Sequence, residues 1–164
     1  MKILNANQLP VDRVVACPKG GFTSHRLVVE GDGMGYSMTK TIVHPGQPHR
    51  WHYQHHLETC YCVSGKGLLI NETTKEIHAI APDVTYVLDK HDPHIFEALE
   101  ETVLICVFNP PLIGNELHDE NDTYPWRSPV YSVRSIPIEK VTANDYNPNY
   151  VSPPDIALLE TSIW

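Results

Sequence analysis

Short β-like runs fill the chain from Arg26 to Asn109, and turn residues separate them at intervals of about eight to twelve positions. The run Tyr36–Val43 alternates between two faces, as the side chains of a strand do, and His44-Pro45-Gly46 ends it. The run Thr102–Phe108 is continuously apolar, which is typical of a strand covered on both faces. Asn109-Pro110-Pro111 stops it, because proline cannot donate to a ladder. This pattern predicts an all-β sandwich or barrel.

Size and charge exclude several classes of protein. The 164 residues are enough for one domain with a substantial core. The net charge is −8 and the sequence has no basic cluster, which argues against nucleic-acid binding. No run approaches the ~20 apolar residues of a membrane span, and the N-terminus lacks the apolar core of a signal peptide. The four cysteines follow no zinc-finger spacing. We interpret them as reduced thiols and expect a cytoplasmic protein.

The composition changes after Trp126. Residues 127–164 hold five of the fourteen prolines and are rich in Ser, Asn and Tyr. We therefore predict one domain over residues 1–126 and a C-terminal extension, residues 127–164, that packs on it. Within the extension, Val130–Val141 could form a strand and Asp155–Ser162 a helical turn or two.

A histidine-rich stretch, His49–Gly65, offers candidate metal ligands. It contains four of the ten histidines within eight residues, and Glu58 follows two positions after the last of them. A glycine, a histidine-rich turn, a glutamate and a second glycine form the outline of the first metal motif of a cupin. A weaker second outline runs from Pro82 through Tyr86 to His94. The two outlines, in this order, predict a jelly-roll-like cupin barrel, with the C-terminal segment as an addition. A polar loop of solvated histidines is the simpler alternative.

Glu58, Tyr86 and His94 can converge on inward-facing positions of such a barrel. A carboxylate, a phenolate and one imidazole form an oxygen-rich donor set, which favours Fe(II) or Mn(II) over a metal that prefers thiolates. Three protein ligands would also leave open positions for a substrate. Tyr86 could instead be an ordinary strand aromatic. Four other histidines compete for the metal on spacing alone: His52, His55, His56 and His91.

Three more residues suggest substrate chemistry. Glu116 and His118 are two apart, so in an extended segment they face the same way and could remove one proton and deliver another. Ordinary loop polarity explains the same pair. A buried Arg26 could bind a substrate carboxylate through two parallel hydrogen bonds, although most arginines lie at the surface.

Four motifs in order resemble the ectoine synthase family: His52–Glu58, Leu88–His94, Val107–Gly114, and Glu116–Glu120 with Tyr124-Pro125. The resemblance implies a cupin barrel, a homodimer, a catalytic iron, and ring closure of N4-acetyl-2,4-diaminobutanoate to ectoine with loss of water. It implies metal ligation by Glu58, Tyr86 and His94. The family's substrate-pocket positions fall on Arg26, Thr41, Cys106, Phe108, Glu116 and His118.

This chain departs from the family pattern at two pocket positions. Phe22 and Thr39 stand where the family usually has a tryptophan and an asparagine, and Asp83 replaces a glycine after Pro82. The C-terminal extension has no counterpart. A related cyclisation of another short amide-bearing amino acid, such as glutamine, therefore stays open. So does a cupin that only binds a small solute, although such sensors usually carry a basic recognition helix that is not seen here.

Overall fold

The computed structural model describes residues 1–118 and 123–124. In this part of the chain ten strands and three short 3-10 helices form, the latter at Ala6–Gln8, Val11–Arg13 and Glu30–Asp32. The strands are β1 (Val14–Ala16), β2 (Phe22–Val28), β3 (Ser37–Val43), β4 (His49–Trp51), β5 (Leu57–Ser64), β6 (Gly67–Asn71), β7 (Ile77–Ile80), β8 (Thr85–Leu88), β9 (His94–Ala98) and β10 (Thr102–Asn109).

The strands form two antiparallel sheets that share one hydrophobic core. One sheet has six strands in the order β1-β2-β3-β10-β5-β8, and the other has four in the order β4-β9-β6-β7. Both sheets contribute to the core, for example Val43 and Leu104 from the first and Leu69 and Phe96 from the second. Several neighbouring strands are far apart in sequence, as in a jelly roll: β3 with β10, β10 with β5, and β4 with β9. The predicted all-β cupin barrel is confirmed.

The alternation in β3 has an unusual result. Its buried face consists of Ser37, Thr39, Thr41 and Val43, so three of the four inward side chains carry hydroxyl groups. An interior of this kind costs stability unless its polar atoms find partners. These hydroxyls do find partners, in one another, in Ser24 and in the backbone N–H of Leu112, and they form a polar wall inside the barrel.

The strand predictions hold for most runs and fail for two short strands. The predicted runs Tyr36–Val43 and Thr102–Phe108 are present as β3 and β10. Strands β6 and β7 form a hairpin, and the Asn71 carboxamide accepts from the backbone of Thr73 at 2.8 Å in its turn. Strand β4 lies inside the stretch that we interpreted as a histidine-rich turn. It forms because His49–Trp51 pairs with β9.

The C-terminal predictions fall outside the described residues. The domain boundary at residue 126, the packing of residues 127–164 and the two elements suggested there stay predictions. Within the described ranges, no helix is long and apolar enough to cross a membrane.

Candidate metal centre and active site

The three predicted metal ligands are buried on three strands around the barrel interior. Glu58 lies at the start of β5, Tyr86 in the neighbouring β8, and His94 opens β9 in the other sheet. The exposed fraction is 5% for Glu58, 9% for Tyr86 and 1% for His94. The rings of Tyr86 and His94 meet edge to face with centroids 6.4 Å apart. The Tyr86 hydroxyl is thus buried together with the ring.

Each of these side chains keeps one buried polar atom without a hydrogen-bond partner among the described residues. The atoms are Glu58 Oε2, Tyr86 Oη and His94 Nε2, which are the atoms that would ligate a metal. Buried polar atoms are rarely left unpaired in native proteins. Three such atoms from a carboxylate, a phenol and an imidazole fit a divalent transition metal.

The surroundings of His94 favour a neutral imidazole that presents Nε2. Its Nδ1 lies 2.9 Å from the backbone oxygen of Asp92, which can only accept, so Nδ1 carries the proton. Burial lowers the pKa of His94. A ring fixed in this tautomer by a backbone carbonyl is the usual arrangement for a metal-binding histidine.

Burial also controls the protonation of the two oxygen donors. Burial raises the pKa of Glu58 to about 7, against the opposing effects of the Cys60 and Cys106 thiols and of Arg26. Burial, followed by the charges of Cys60 and Glu58, raises the pKa of Tyr86 well above its ordinary value. Glu58 would therefore be only about half ionised at neutral pH, and Tyr86 would need a cation nearby to hold a negative charge.

The other candidate histidines have different surroundings. His56 and His91 each place Nδ1 on a backbone oxygen, of Pro110 at 2.8 Å and of Tyr53 at 2.9 Å, and so hold loops together. His52 and His55 are only half-buried. The structure thus separates these four histidines from the three buried ligand candidates.

Five of the six predicted substrate-binding residues line one small cavity inside the barrel, which Glu58 also borders. One wall is polar, because Thr39 Oγ1 lies 3.2 Å from Thr41 Oγ1, which in turn donates to Ser24 at 3.3 Å. Much of the remaining lining is aromatic. The predicted lining residues are Phe22, Thr39, Thr41, Cys106 and Phe108.

Arg26, the sixth residue, is 1% exposed and borders an adjoining pocket. Its Nη2 donates to Tyr124 Oη at 2.9 Å and to the Glu116 backbone oxygen at 3.3 Å. Its guanidinium carbon lies 5.2 Å from the centroid of the Tyr124 ring. Nε and Nη1 have no partner among the described residues. The guanidinium is therefore buried with two donors left for an anion.

Glu116 and His118 border the same adjoining pocket as Arg26 but differ in their contacts. The Glu116 carboxylate accepts from the backbone N–H of Ile113 and, at 2.7 Å, from that of Gly114. It therefore binds its own loop. His118 Nε2 lies 3.0 Å from Tyr53 Oη, and the imidazole stacks on Tyr124 with centroids 4.6 Å apart. Of the predicted pair, His118 has the contacts that suit a proton relay.

Sequence reasoning missed several residues that border the cavity. Trp51, Tyr53 and Tyr124 supply much of its aromatic wall. Tyr53 and Tyr124 lie in motifs that carry the family resemblance. Their spacing alone, however, does not distinguish an aromatic residue that lines a cavity from one in the core. Cys60 was also missed, and its thiol donates to Glu58 Oε1 at 3.2 Å.

Comparisons with known proteins identify relatives that match most of the chain. The family model described as ectoine synthase matches residues 1–128. An L-ectoine synthase of Desulfatibacillum aliphaticivorans is 47% identical over 118 residues, which cover 71% of this chain and 90% of the relative. An L-ectoine synthase of a Marinomonas species is 44% identical over 113 residues, covering 69% and 88%.

A solved structure is similar across the same region. The crystal structure of ectoine synthase from P. lautus superimposes with a TM-score of 0.68 at 33% identity, covering 84% of this chain and 99% of that chain. The match is with an enzyme whose fold is the barrel described above. This chain therefore belongs to the ectoine synthase family of enzymes.

Proposed function

We propose that this protein closes N4-acetyl-L-2,4-diaminobutanoate to ectoine with loss of water, using Fe(II) or another divalent metal held by Glu58, Tyr86 and His94. One observation carries the proposal in a chain of this family: the ligating atom of each of these side chains is buried and unpaired. The relatives named above are L-ectoine synthases, which supports the reaction. When bound, the ion would supply Lewis acidity to polarise the acetamide carbonyl, an effect worth several kcal/mol.

Arg26 anchors the substrate in this proposal. Nε and Nη1 have no partner among the described residues, but their N–H groups lie on different edges of the guanidinium, so each can donate a separate charge-assisted hydrogen bond rather than a parallel pair. We assign one of these hydrogen bonds to a carboxylate oxygen of the substrate. The substrate would then lie with its carboxylate toward Arg26 and its acetamide toward Glu58. A fixed carboxylate restricts the chain to curled conformations in which the α-amine approaches the acetyl carbon.

Ring closure replaces the C=O bond of the acetyl carbon with a C=N bond to the α-amine nitrogen, and the carbonyl oxygen leaves as water with the two protons that the amine loses. His118 is the residue we assign to this proton transfer, with Tyr53 Oη as its 3.0 Å partner. We keep Glu116 as the second candidate, although its carboxylate is held by two backbone amides. Phe22, Trp51 and Phe108 exclude water from the cavity, which favours dehydration.

The test is an assay of purified protein loaded with iron under anaerobic conditions, with the ectoine product separated by chromatography. We expect His94→Ala to lose both bound iron and product, since it removes one ligand of three. His44→Ala is the matched control, because His44 is an exposed histidine that lies 3.3 Å from Glu101 and borders neither pocket. Full iron content and full activity in His94→Ala would refute the ligand assignment.

A related cyclisation is the second candidate, and the cavity wall favours it. Phe22 and Thr39, the two departures from the family pattern, both line the cavity. Glutamine, which carries an amide and an α-amine, is therefore assayed in parallel. Turnover of glutamine without ectoine formation would favour this reading. Tight binding of either compound without turnover would indicate a solute-binding cupin.

We further propose that the protein is a cytoplasmic homodimer. The family resemblance supports the dimer, and the four free cysteines support a reducing compartment. Light scattering of the purified full chain measures the oligomeric state, and fractionation of the source cell tests the cytoplasmic location.

A further inference from the structure

Two buried thiols lie beside Glu58, and the reaction proposed above uses neither as a ligand. Cys60 of β5 and Cys106 of β10 are directly opposite each other in the ladder. Their sulfur atoms are 3.4 Å apart, and Cys60 Sγ is 3.2 Å from Glu58 Oε1. The exposed fractions of the two cysteines are 1% and 4%. One ligand atom from each of the three residues lies within 4.8 Å of the others.

These distances fit a single coordination sphere. Tetrahedral zinc has Zn–S bonds of about 2.3 Å and Zn–O bonds of about 2.0–2.2 Å, so its ligand atoms lie roughly 3.5–3.8 Å apart. The Cys60 sulfur would need to move only a few tenths of an ångström away from the Cys106 sulfur and from the Glu58 oxygen. The Cys106 sulfur and the Glu58 oxygen, which lie within 4.8 Å of each other, would settle at a similar separation. A second observation points to a ligand: Glu58 Oε2 and Tyr86 Oη are buried beside the cluster without partners.

We propose that Glu58, Cys60 and Cys106 form a second metal-binding set, which takes a thiophilic divalent cation such as Zn²⁺, Co²⁺ or Cd²⁺. Binding replaces the two thiol protons with metal–sulfur bonds. Two soft sulfur donors favour these ions over Fe(II) or Mn(II). Glu58 belongs to both sets, so the thiophilic ion and the proposed catalytic ion exclude each other. That exclusion, unlike the site itself, rests on the proposed function.

The first experiment adds Co²⁺ to the metal-free full chain and records the near-ultraviolet charge-transfer absorption that only a thiolate bound to Co²⁺ gives. We expect the band in the wild type and its loss in Cys60→Ala and Cys106→Ala. Cys62→Ala is the matched control, because Cys62 is a buried thiol on the same strand that contacts the Ser64 backbone oxygen instead. Its band should be unchanged.

Zinc affinity gives a second readout in the same proteins. We expect a loss of at least about 10-fold in Cys60→Ala, because even residues that only support metal ligands are worth about 10–100-fold in affinity. Buried cysteine behaves as a small apolar residue, so alanine should be tolerated, and Cys60→Val replaces it if Cys60→Ala does not unfold cooperatively. His94→Ala should keep the band, since His94 belongs only to the first set.

Cobalt that is bound, as shown by its visible absorption, but gives no thiolate band in the wild type would overturn the proposal. So would an unchanged band in both cysteine variants. The iron assay is read separately: a thiolate band without ectoine formation refutes the proposed function and leaves this site standing. If product formation at limiting iron is unaffected by equimolar Cd²⁺, the shared use of Glu58 is wrong.

Discussion

Glu58 should make the metal-free protein less stable as the pH rises from about 5 to about 7, because burial raises the pKa of its carboxyl in the folded state. That pKa is about 7 in the folded chain, compared with an ordinary value of 4.5. Between these two values the folded state binds more protons than the unfolded state. The free energy of unfolding therefore falls as the pH rises, which is the opposite of an ion-paired carboxylate.

The size of the effect follows from the two pKa values. They differ by about 2.5, and each pH unit is worth about 1.4 kcal/mol, so the full loss is about 3 kcal/mol. The contribution of protonated Glu58 to the free energy of unfolding is fully present below the ordinary pKa of 4.5, and it is fully lost above the folded-state pKa of about 7. With a urea slope of about 2 kcal/mol per molar, the midpoint should fall by roughly 1.5 M across this window.

Glu58→Gln is the reference, because it keeps the size of the side chain and does not titrate. We would measure urea unfolding of both metal-free proteins from about pH 4.5 to about pH 8 and compare the difference between them, so that other titrating groups cancel. Saturating Fe(II) should remove the trend in the wild type, since a ligated carboxylate must be ionised. Parallel curves for the two metal-free proteins, within about 0.5 kcal/mol, would refute the reasoning.

Two further predictions concern a buried charge and a strained turn. Arg26→Met should lower kcat/KM by about 10–10²-fold, because one hydrogen bond to a charged group is worth about 1.5–3 kcal/mol. Arg13→Met removes a half-buried arginine that is paired with Asp32 at 3.1 Å, and it should leave steady-state activity unchanged. Equal activities of the Arg26→Met and Arg13→Met variants would exclude Arg26 as the anchor. Gly65→Ala should cost about 2–5 kcal/mol in urea unfolding, since φ is +90° and the new Cβ would lie 2.5 Å from the Thr102 Cα. Gly33→Ala, with φ +71° but open space around it, should cost only about 1–2 kcal/mol, so similar losses would contradict the clash.

The sequence predicted the parts of the fold that a local pattern can express. The alternation in Tyr36–Val43 placed Ser37, Thr39 and Thr41 on one face, and that face is buried. Strands β1 and β4 were not predicted, because three residues are too few to show a period. They exist through pairing with β2 and β9, which is tertiary information.

The candidate site divides in the same way. The spacing of Glu58, Tyr86 and His94 placed them on neighbouring inward positions, but their role as ligands stays a prediction. The contact of Cys60 with Cys106 could not be predicted, because it depends on the register of β5 against β10, which shifts at Val103/Leu104. Register is a property of the paired strands, and a shift by one residue would turn one thiol outward.

Arg26 and Glu58 are both buried in the barrel, and neither has an ion-pair partner within 4 Å among the described residues. Arg26 is a permanent cation that, within the described part of the chain, finds a phenol and a backbone oxygen but no carboxylate. Glu58 is an acid whose charged form is disfavoured by burial, although Arg26 partly offsets this. An anion at Arg26 and a cation at Glu58 would satisfy both groups, which is otherwise costly in a low-dielectric interior. The proposed substrate would place its carboxylate at Arg26. The proposed divalent ion, with the neutral amide of the substrate beside it, would place the positive charge at Glu58.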